Sequence, residues 1–236
     1  MSRREQIGRY LILLPPVAGV IAIASVLPIP QAESYHRFAD QRTVLGIPNF
    51  WNVVSNLPFA VAGLAGLLAF RDLRSRFLFA GILLTTFGSA YYHWSPDTPH
   101  LVWDRVPMTV AFMSLLALIL QFPFGPRAGQ RSLLPLVILG LASVVWWHVT
   151  GDLRPYVLVQ FGPILMIPIA LVCFDVAAAN ELWIALLLYA LAKMAEAGDR
   201  QIFAALPLSG HSAKHLLAGL STWWIYRWRK RTELEQ

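Results

Sequence analysis

The sequence predicts an all-α fold, a polytopic bundle of transmembrane helices. A seven-helix core with one extra N-terminal helix makes eight spans, and both termini lie on the cytoplasmic side. Three observations predict it. Of the 236 residues, 57% are hydrophobic and only 14% charged, where a soluble domain carries about 45–50% and about 25%. The charges sit in short clusters rather than along the chain. The runs between clusters are about as long as the 20 apolar residues a helix needs to cross hydrocarbon. The same facts exclude other classes. The net charge of +6 forms no basic stripe, so a nucleic-acid partner is not expected. Cys173 is the only cysteine, so there is no disulfide scaffold, and the apolar content rules out disorder. Nothing implies a protein partner.

Residues 10–32, 43–70, 77–96, 106–126, 132–151 and 155–174 contain no Asp, Glu, Lys or Arg, and each can span once. Residues 182–228 hold two more helices, hinged at Leu206-Pro207-Leu208-Ser209-Gly210. The first run exceeds the 7–15 residues of a signal-peptide h-region, so it is read as an uncleaved helix. Lys and Arg favour cytoplasmic loops. With the N-terminus inside, the inner segments carry twelve basic residues between Arg3 and Arg231, and the outer loops carry Arg37, Arg42 and Arg154. The expected division is residues 1–48 as the extra helix and outer loop, 49–228 as the core, and 229–236 as a basic cytoplasmic tail beside anionic lipid.

Ionisable and polar groups at membrane depth are costly and are kept mainly for function. In this topology they gather near the outer leaflet. Ser89 and His93 lie four apart and share a face of helix three. Asp104 opens helix four, and His211 and His215 share a face at the start of helix eight. Asn52, Ser55 and Asn56 form a stripe at the outer end of helix two, and helix seven brings Glu196 and Asp199 to the same level.

Three histidines near a carboxylate suit a metal, most plausibly Zn2+. Catalytic zinc takes three protein ligands and leaves one position for water, whose pKa it lowers to about 7. His93, His211 and His215 are the candidate ligands. Asp104 is placed to move a proton and Ser89 to stabilise an oxyanion, which makes a hydrolase of an acyl compound. Simpler readings exist for each residue. His-x-x-x-His is a weak motif alone, and a membrane serine usually bonds its own backbone. Asp104 beside Arg105 also fits a helix-end ion pair. His148 is expected to be a hydrogen-bonded structural residue, and His36 and His100 to be solvated loop residues. Tyr91, Tyr92, Trp94 and Trp103 suit an interfacial aromatic belt better than a pocket rim.

The order and spacing of Asn52-Val53-Val54-Ser55-Asn56, Ser89-x-x-x-His93, Asp104-x-x-Pro107-Met108 and His211-x-x-x-His215 resemble the alkaline ceramidases. Their superfamily also includes the adiponectin receptors and haemolysin-III-like proteins. The resemblance covers about residues 49–226 and is strongest to bacterial ceramidase-like members. It implies a seven-helix core with an intramembrane zinc site, cleaving the N-acyl amide of ceramide to a sphingoid base and a fatty acid. It implies that His93, His211 and His215 bind zinc, that Asp104 assists proton transfer and that Ser89 stabilises the oxyanion. Asn52, Ser55, Asn56 and Asp199 fall to supporting or substrate-binding positions. Two positions depart from the pattern. Asn49 stands where animal members have the last acidic ligand of a calcium site, so that site is not expected. Arg105 stands where an acidic residue often follows the aspartate, which bears on the headgroup.

The partner implied is a lipid substrate, ceramide or another N-acyl lipid, entering from the bilayer. The high ratio of Arg to Lys suits a GC-rich bacterial genome, and with the topology above the expected location is a bacterial inner membrane, with the site near the periplasmic face. Two other functions make different demands on the chain. A receptor of the adiponectin type predicts a soluble domain or an exposed partner patch. An ion or metal transporter predicts polar residues through the whole bilayer depth, whereas here they collect at one end.

Overall fold

The computed structural model describes residues 2–234, and among them the fold is helical throughout, apart from one isolated bridge between Val44 and Ile47. In chain order the helices are α1 (Arg3–Leu11), α2 (Leu14–Ser25), α3 (Phe50–Val54), α4 (Leu57–Ala69), α5 (Leu73–Trp94) and α6 (Thr98–Ile119). They continue with α7 (Gln121–Phe124), α8 (Pro126–Thr150), α9 (Arg154–Cys173), α10 (Ala179–Ala197), α11 (Asp199–Ala205) and α12 (Gly210–Leu234).

Proline and glycine set most of the boundaries. Pro15 and Pro16 divide α1 from α2, and Pro58 divides α3 from α4, because proline lacks the N–H that the preceding turn would bond. Pro28 and Pro30 hold residues 26–32 extended, so the first helical rod ends at Ser25 and the loop runs from 26 to 49. The run 10–32 is apolar, but it is not all helix. Gly151, at φ 75°, ends α8. Asp72 caps α5 by accepting from Ser75 N at 3.1 Å, and Asp97 caps α6 by accepting from His100 N at 2.7 Å.

Five segments are long and apolar enough to cross a membrane: Arg3–Ser25, Phe50–Ala69, Thr98–Phe124, Pro126–Thr150 and Arg154–Cys173. Helices α5, α10 and α12 have 22, 19 and 25 residues but are more polar. Leu64, Leu68, Phe87, Leu139, Val149 and Leu187 are all more than half exposed on the outside of the bundle. Apolar surface on that scale is a lipid-facing surface rather than a water-facing one, and the chain is a multi-pass membrane protein.

Helix α5 packs between α4 and α6, α12 lies between α4 and α10, and α9 closes against α6. Helix α8 covers α6 and α9 from outside, and α1 and α2 lie against α9. The main core includes Phe70, Phe79, Leu78, Met113, Leu118, Leu133, Leu182 and Trp228. A second cluster, Phe38, Tyr92, Leu101, Val144, Trp147 and Tyr156, packs the 26–49 loop onto one end of the bundle.

That loop is fastened at several points. Leu153 N donates to Ile29 O at 2.9 Å. Arg154 Nη1 donates to Ile23 O at 2.7 Å and also reaches Val26 O. Arg154 in turn holds the Asp152 carboxyl well below the usual carboxylate range. At the opposite end, Arg229 is buried, donates to Asp72 Oδ2 at 3.0 Å and to Ser75 Oγ at 2.9 Å, and lies over Phe70. The basic segment after 228 is thus a continuation of α12 packed on the start of α5.

Candidate active site

With Asp97 as its cap, α6 starts at Thr98, eight residues before Val106, where the uncharged run begins. Asp104 is therefore not at a helix end but about two turns inside α6, and it is buried. The helix-end ion pair with Arg105 is absent from the ion pairs of the described residues.

His93 leaves α5 near its last turn, and His211 and His215 stand one turn apart at the start of α12. All three are buried, and one ring nitrogen from each lies within 4.8 Å of the others. Zinc–nitrogen bonds of about 2.0–2.1 Å place tetrahedral ligands roughly 3.3 Å apart, so small ring rotations close the cluster on an ion. His93 carries the strongest sign. Both of its ring nitrogens are buried without a hydrogen-bond partner, and orphaned buried polar atoms in a native fold call for an explanation. The imidazole of His215 is oriented from behind by Ser55 Oγ, 2.8 Å from Nδ1, as metal-ligating histidines are commonly held. The residues present fit a zinc ion.

The polar stripe on α3 and its neighbours braces this cluster. Asn52 is fully buried. It donates to Asp40 O at 3.1 Å and accepts from Ser212 Oγ at 2.7 Å. Asn56 Nδ2 donates to Asn52 O at 2.9 Å, while its Oδ1 is buried and unpartnered. Asp199 opens α11 and accepts from His211 N at 2.7 Å with one oxygen and from Ala39 N at 2.8 Å with the other. Asp40 is buried beside Arg42. Burial works to raise its carboxyl, but the Arg42 hydrogen bonds outweigh burial and hold it low.

Ser89, Asp104 and His215 line one cavity of about 240 Å³, and Ser89 and Asp104 are both buried in its wall. The cavity is polar at this end, where Arg105, Lys193, Glu196 and Lys214 also meet it. Glu196 pairs with Lys193 and, at 3.0 Å, with Lys214, whose Nζ lies 3.1 Å from His211 Nε2. The other end is apolar and includes Leu78, Leu115 and Ile225. From Ser89 to Leu78 on α5, and from Asp104 to Leu115 on α6, is eleven residues, or about 16 Å of helix at 1.5 Å per residue. From His215 to Ile225 on α12 is ten, about 15 Å. Three helices thus give the slot one depth. Its deeper hydroxyls turn back to the backbone, Thr85 to Gly81 O and Ser221 to Ala185 O.

A family model described as Ceramidase matches residues 43–181, which is more than half of the chain. The chain belongs to the ceramidase family. No curated protein matches it. The matched region holds Asn52, Ser55, Asn56, Ser89, His93 and Asp104. Asp199, His211 and His215 lie beyond it, and the fold carries them to the same place. Membership of the ceramidase family implies a hydrolase of amide bonds and a lipid substrate.

Several residues at this ceramidase-family site were not expected from sequence. Phe38 lies against His93 and His211, with ring centroids 4.7 and 4.4 Å away, and covers the cluster from the loop side. Tyr35 reaches Glu196 Oε1 at 3.4 Å and lines the slot. Loop packing has no periodicity, so no sequence signal marks either residue. His36 is not solvated but bonded, Nδ1 to Tyr92 Oη at 2.9 Å and Nε2 to Thr98 Oγ1 at 3.1 Å. His100 lies in the first turn of α6, where it pairs with Asp97. His148 is exposed near the end of α8 and has no side-chain partner among the described residues. Tyr91, Trp94 and Trp103 point outward and are 51%, 52% and 61% exposed, whereas Tyr92 is buried. None of the four lines the slot.

Proposed function

We propose that this protein is a zinc-dependent intramembrane amidohydrolase that cleaves the N-acyl amide of ceramide or a related N-acyl lipid to a long-chain base and a fatty acid. One observation carries the reading. The charged groups of the site stand at one end of a slot whose remaining depth, about 15–16 Å along three helices, is lined mostly by apolar side chains. An amide with a long acyl chain is polar at one point and apolar beyond it, and it fills such a slot in one orientation. A transporter needs polar groups through the bilayer depth, and the deeper polar groups of this slot are few and bonded within the protein, Thr85 and Ser221 to backbone carbonyls and Gln160 to Tyr189.

His93, His211 and His215 would hold the zinc. When bound, zinc supplies Lewis-acid chemistry, lowering the pKa of water and polarising the amide carbonyl. Asp104, buried beside Ser89, takes the proton of the attacking water and returns it to the departing amine nitrogen, which cannot leave as an anion. Ser89 donates its hydroxyl proton to the oxygen that gains charge as the carbonyl becomes tetrahedral. Ser55, Asn52, Asn56 and Asp199 keep the histidines in register with one another and with Ala39 and Asp40 of the loop. Phe38 and the loop keep bulk water from the cluster, so the charges act at low dielectric.

Substrate entry is assigned to the wall between α9 and α10. These helices pack sparsely against each other, and Val157 and Phe161 of α9 are over a third exposed while also lining the slot. A lipid entering there need not leave the bilayer. We further propose eight spans with both termini cytoplasmic, and a site near the periplasmic face of a bacterial inner membrane. The distribution of Lys and Arg supports this orientation.

The test is fatty-acid release from ceramide and other N-acyl lipids by detergent-purified protein, beside Asp104→Asn and His93→Ala. Loss of release in both is expected, and wild-type rates in both would sink the assignment.

A further inference from the structure

Arg105 is a buried cation that the reaction above does not use. It is 6% exposed and lines the slot beside Asp104. Its guanidinium lies 4.0 Å from the ring centroid of Trp147, 4.5 Å from that of Tyr156 and 6.0 Å from that of Tyr35. Nη2 donates to Gln31 Oε1 at 2.7 Å. Nη1 is buried and has no partner among the described residues.

The other charges at this end are matched differently. Lys193 and Lys214 share Glu196, and Asp104 is buried in the slot wall with Ser89. Arg105 forms no ion pair among the described residues. The slot lining thus carries three cations, Arg105, Lys193 and Lys214, against two carboxylates, Asp104 and Glu196, and Arg105 is the one of the three cations that no carboxylate contacts among the described residues. Aromatic faces offset part of the cost of burying a guanidinium. They do not give Nη1 an acceptor, and a buried cation without a counter-charge is strongly disfavoured. Trp147 and Tyr156 also fix the plane of the fork, which suits the oxygens of a carboxylate or phosphate.

We propose that Arg105 binds an oxyanion carried on the substrate close to its amide. The preferred class is then an N-acyl lipid with an acidic head, such as an N-acyl amino acid or a phosphorylated N-acyl amino alcohol. The inference rests on the amidase reading for where the amide lies. Arg105 follows Asp104 in the chain and lines the same slot, so the oxyanion sits a few bonds from the scissile carbonyl on the amine side. The acyl chain occupies the apolar depth.

The test uses matched pairs with the zinc-loaded protein. N-palmitoylglycine is compared with N-palmitoylglycinamide, and ceramide 1-phosphate with ceramide, by kcat/KM. Binding is measured separately with the non-cleavable hexadecanesulfonyl derivatives of glycine and glycinamide. In the wild type, at least a tenfold preference for the anionic member is expected in one pair, and which pair shows it tells carboxylate from phosphate. Arg105→Gln is expected to remove the preference while leaving turnover of the neutral member within about threefold. Equal turnover and equal binding of both members by the wild type would overturn the proposal, and that result needs no variant to fold. If amides are cleaved without preference, the inference fails and the amidase reading stands. If no amide is cleaved but the sulfonyl pair is discriminated through Arg105, the amidase reading fails and the oxyanion site stands.

Discussion

A methyl group placed on Gly88 would lie 2.1 Å from the carbonyl oxygen of Trp103. Helices α5 and α6 therefore meet backbone to backbone at this point. The residue after Gly88 is Ser89, and the residue after Trp103 is Asp104. One missing side chain thus sets the separation of the two groups assigned to proton transfer and oxyanion stabilisation.

Gly88→Ala should push α5 and α6 apart. Overpacking costs about 1–3 kcal/mol, and a misplacement on the order of 1 Å costs about a hundredfold in rate. Lipid hydrolysis is expected to fall about a hundredfold, with a Tm loss of a few degrees and zinc content unchanged. Activity within threefold of wild type would show that this contact does not govern the site.

Metal analysis of detergent-purified protein should find about one zinc per chain. His211→Ala/His215→Ala should lose it, and so should His93→Gln, because no other residue completes the cluster. A folded, chelator-free preparation with no zinc would remove the metal from the mechanism.

Asp104→Asn should lower kcat by about 10²–10⁴-fold, the usual worth of a positioned acid–base group. Ser89→Ala should lower it by about 10²–10³-fold, as for loss of an oxyanion donor. Both should keep their zinc, since neither touches a ligand nitrogen by hydrogen bond. Loss of metal in either would mean that the rate effect reports a damaged cluster instead.

Burial between Tyr92 and Thr98 holds His36 below its ordinary value. The folded loop therefore favours neutral imidazole. Stability from these bonds is full above the unfolded value of about 6.5 and is lost as pH falls through the lower folded value. Protection of the amides of residues 33–40 from hydrogen exchange, corrected for intrinsic rates, should fall between pH 7 and pH 5 in the wild type. In His36→Asn it should be low at both, and a flat profile in the wild type would count against this role for His36.

Much of this arrangement was legible in the sequence. Long uncharged runs locate the apolar helices because hydrocarbon admits little else, and His93, inside one of them, stands out for the same reason, as do His211 and His215 in the mainly apolar segment that ends the bundle. Helix starts were less legible. Asp104 and Arg105 interrupt the uncharged run, so α6 looks shorter than it is. Its true start at Thr98 depends on Asp97 as a cap, and this carries Asp104 from the helix end into the bundle. The converse error occurs at 26–32, where apolar residues are held extended by Pro28 and Pro30. Phe38, Tyr35 and the aromatic seat of Arg105 had no signal, because each depends on how a loop lies across other elements.

Asp199 grips the loop at Ala39 with one oxygen and α12 at His211 with the other, and Phe38 stands between the loop and the histidines. An ion held by His93, His211 and His215 is thus walled in on the loop side as well as ligated. How long it stays is then a property of loop opening as much as of ligand strength. Arg37 and Arg42 are exposed on either side of Phe38, so a trypsin cut there should make a slowly exchanging metal exchange quickly without altering a single ligand.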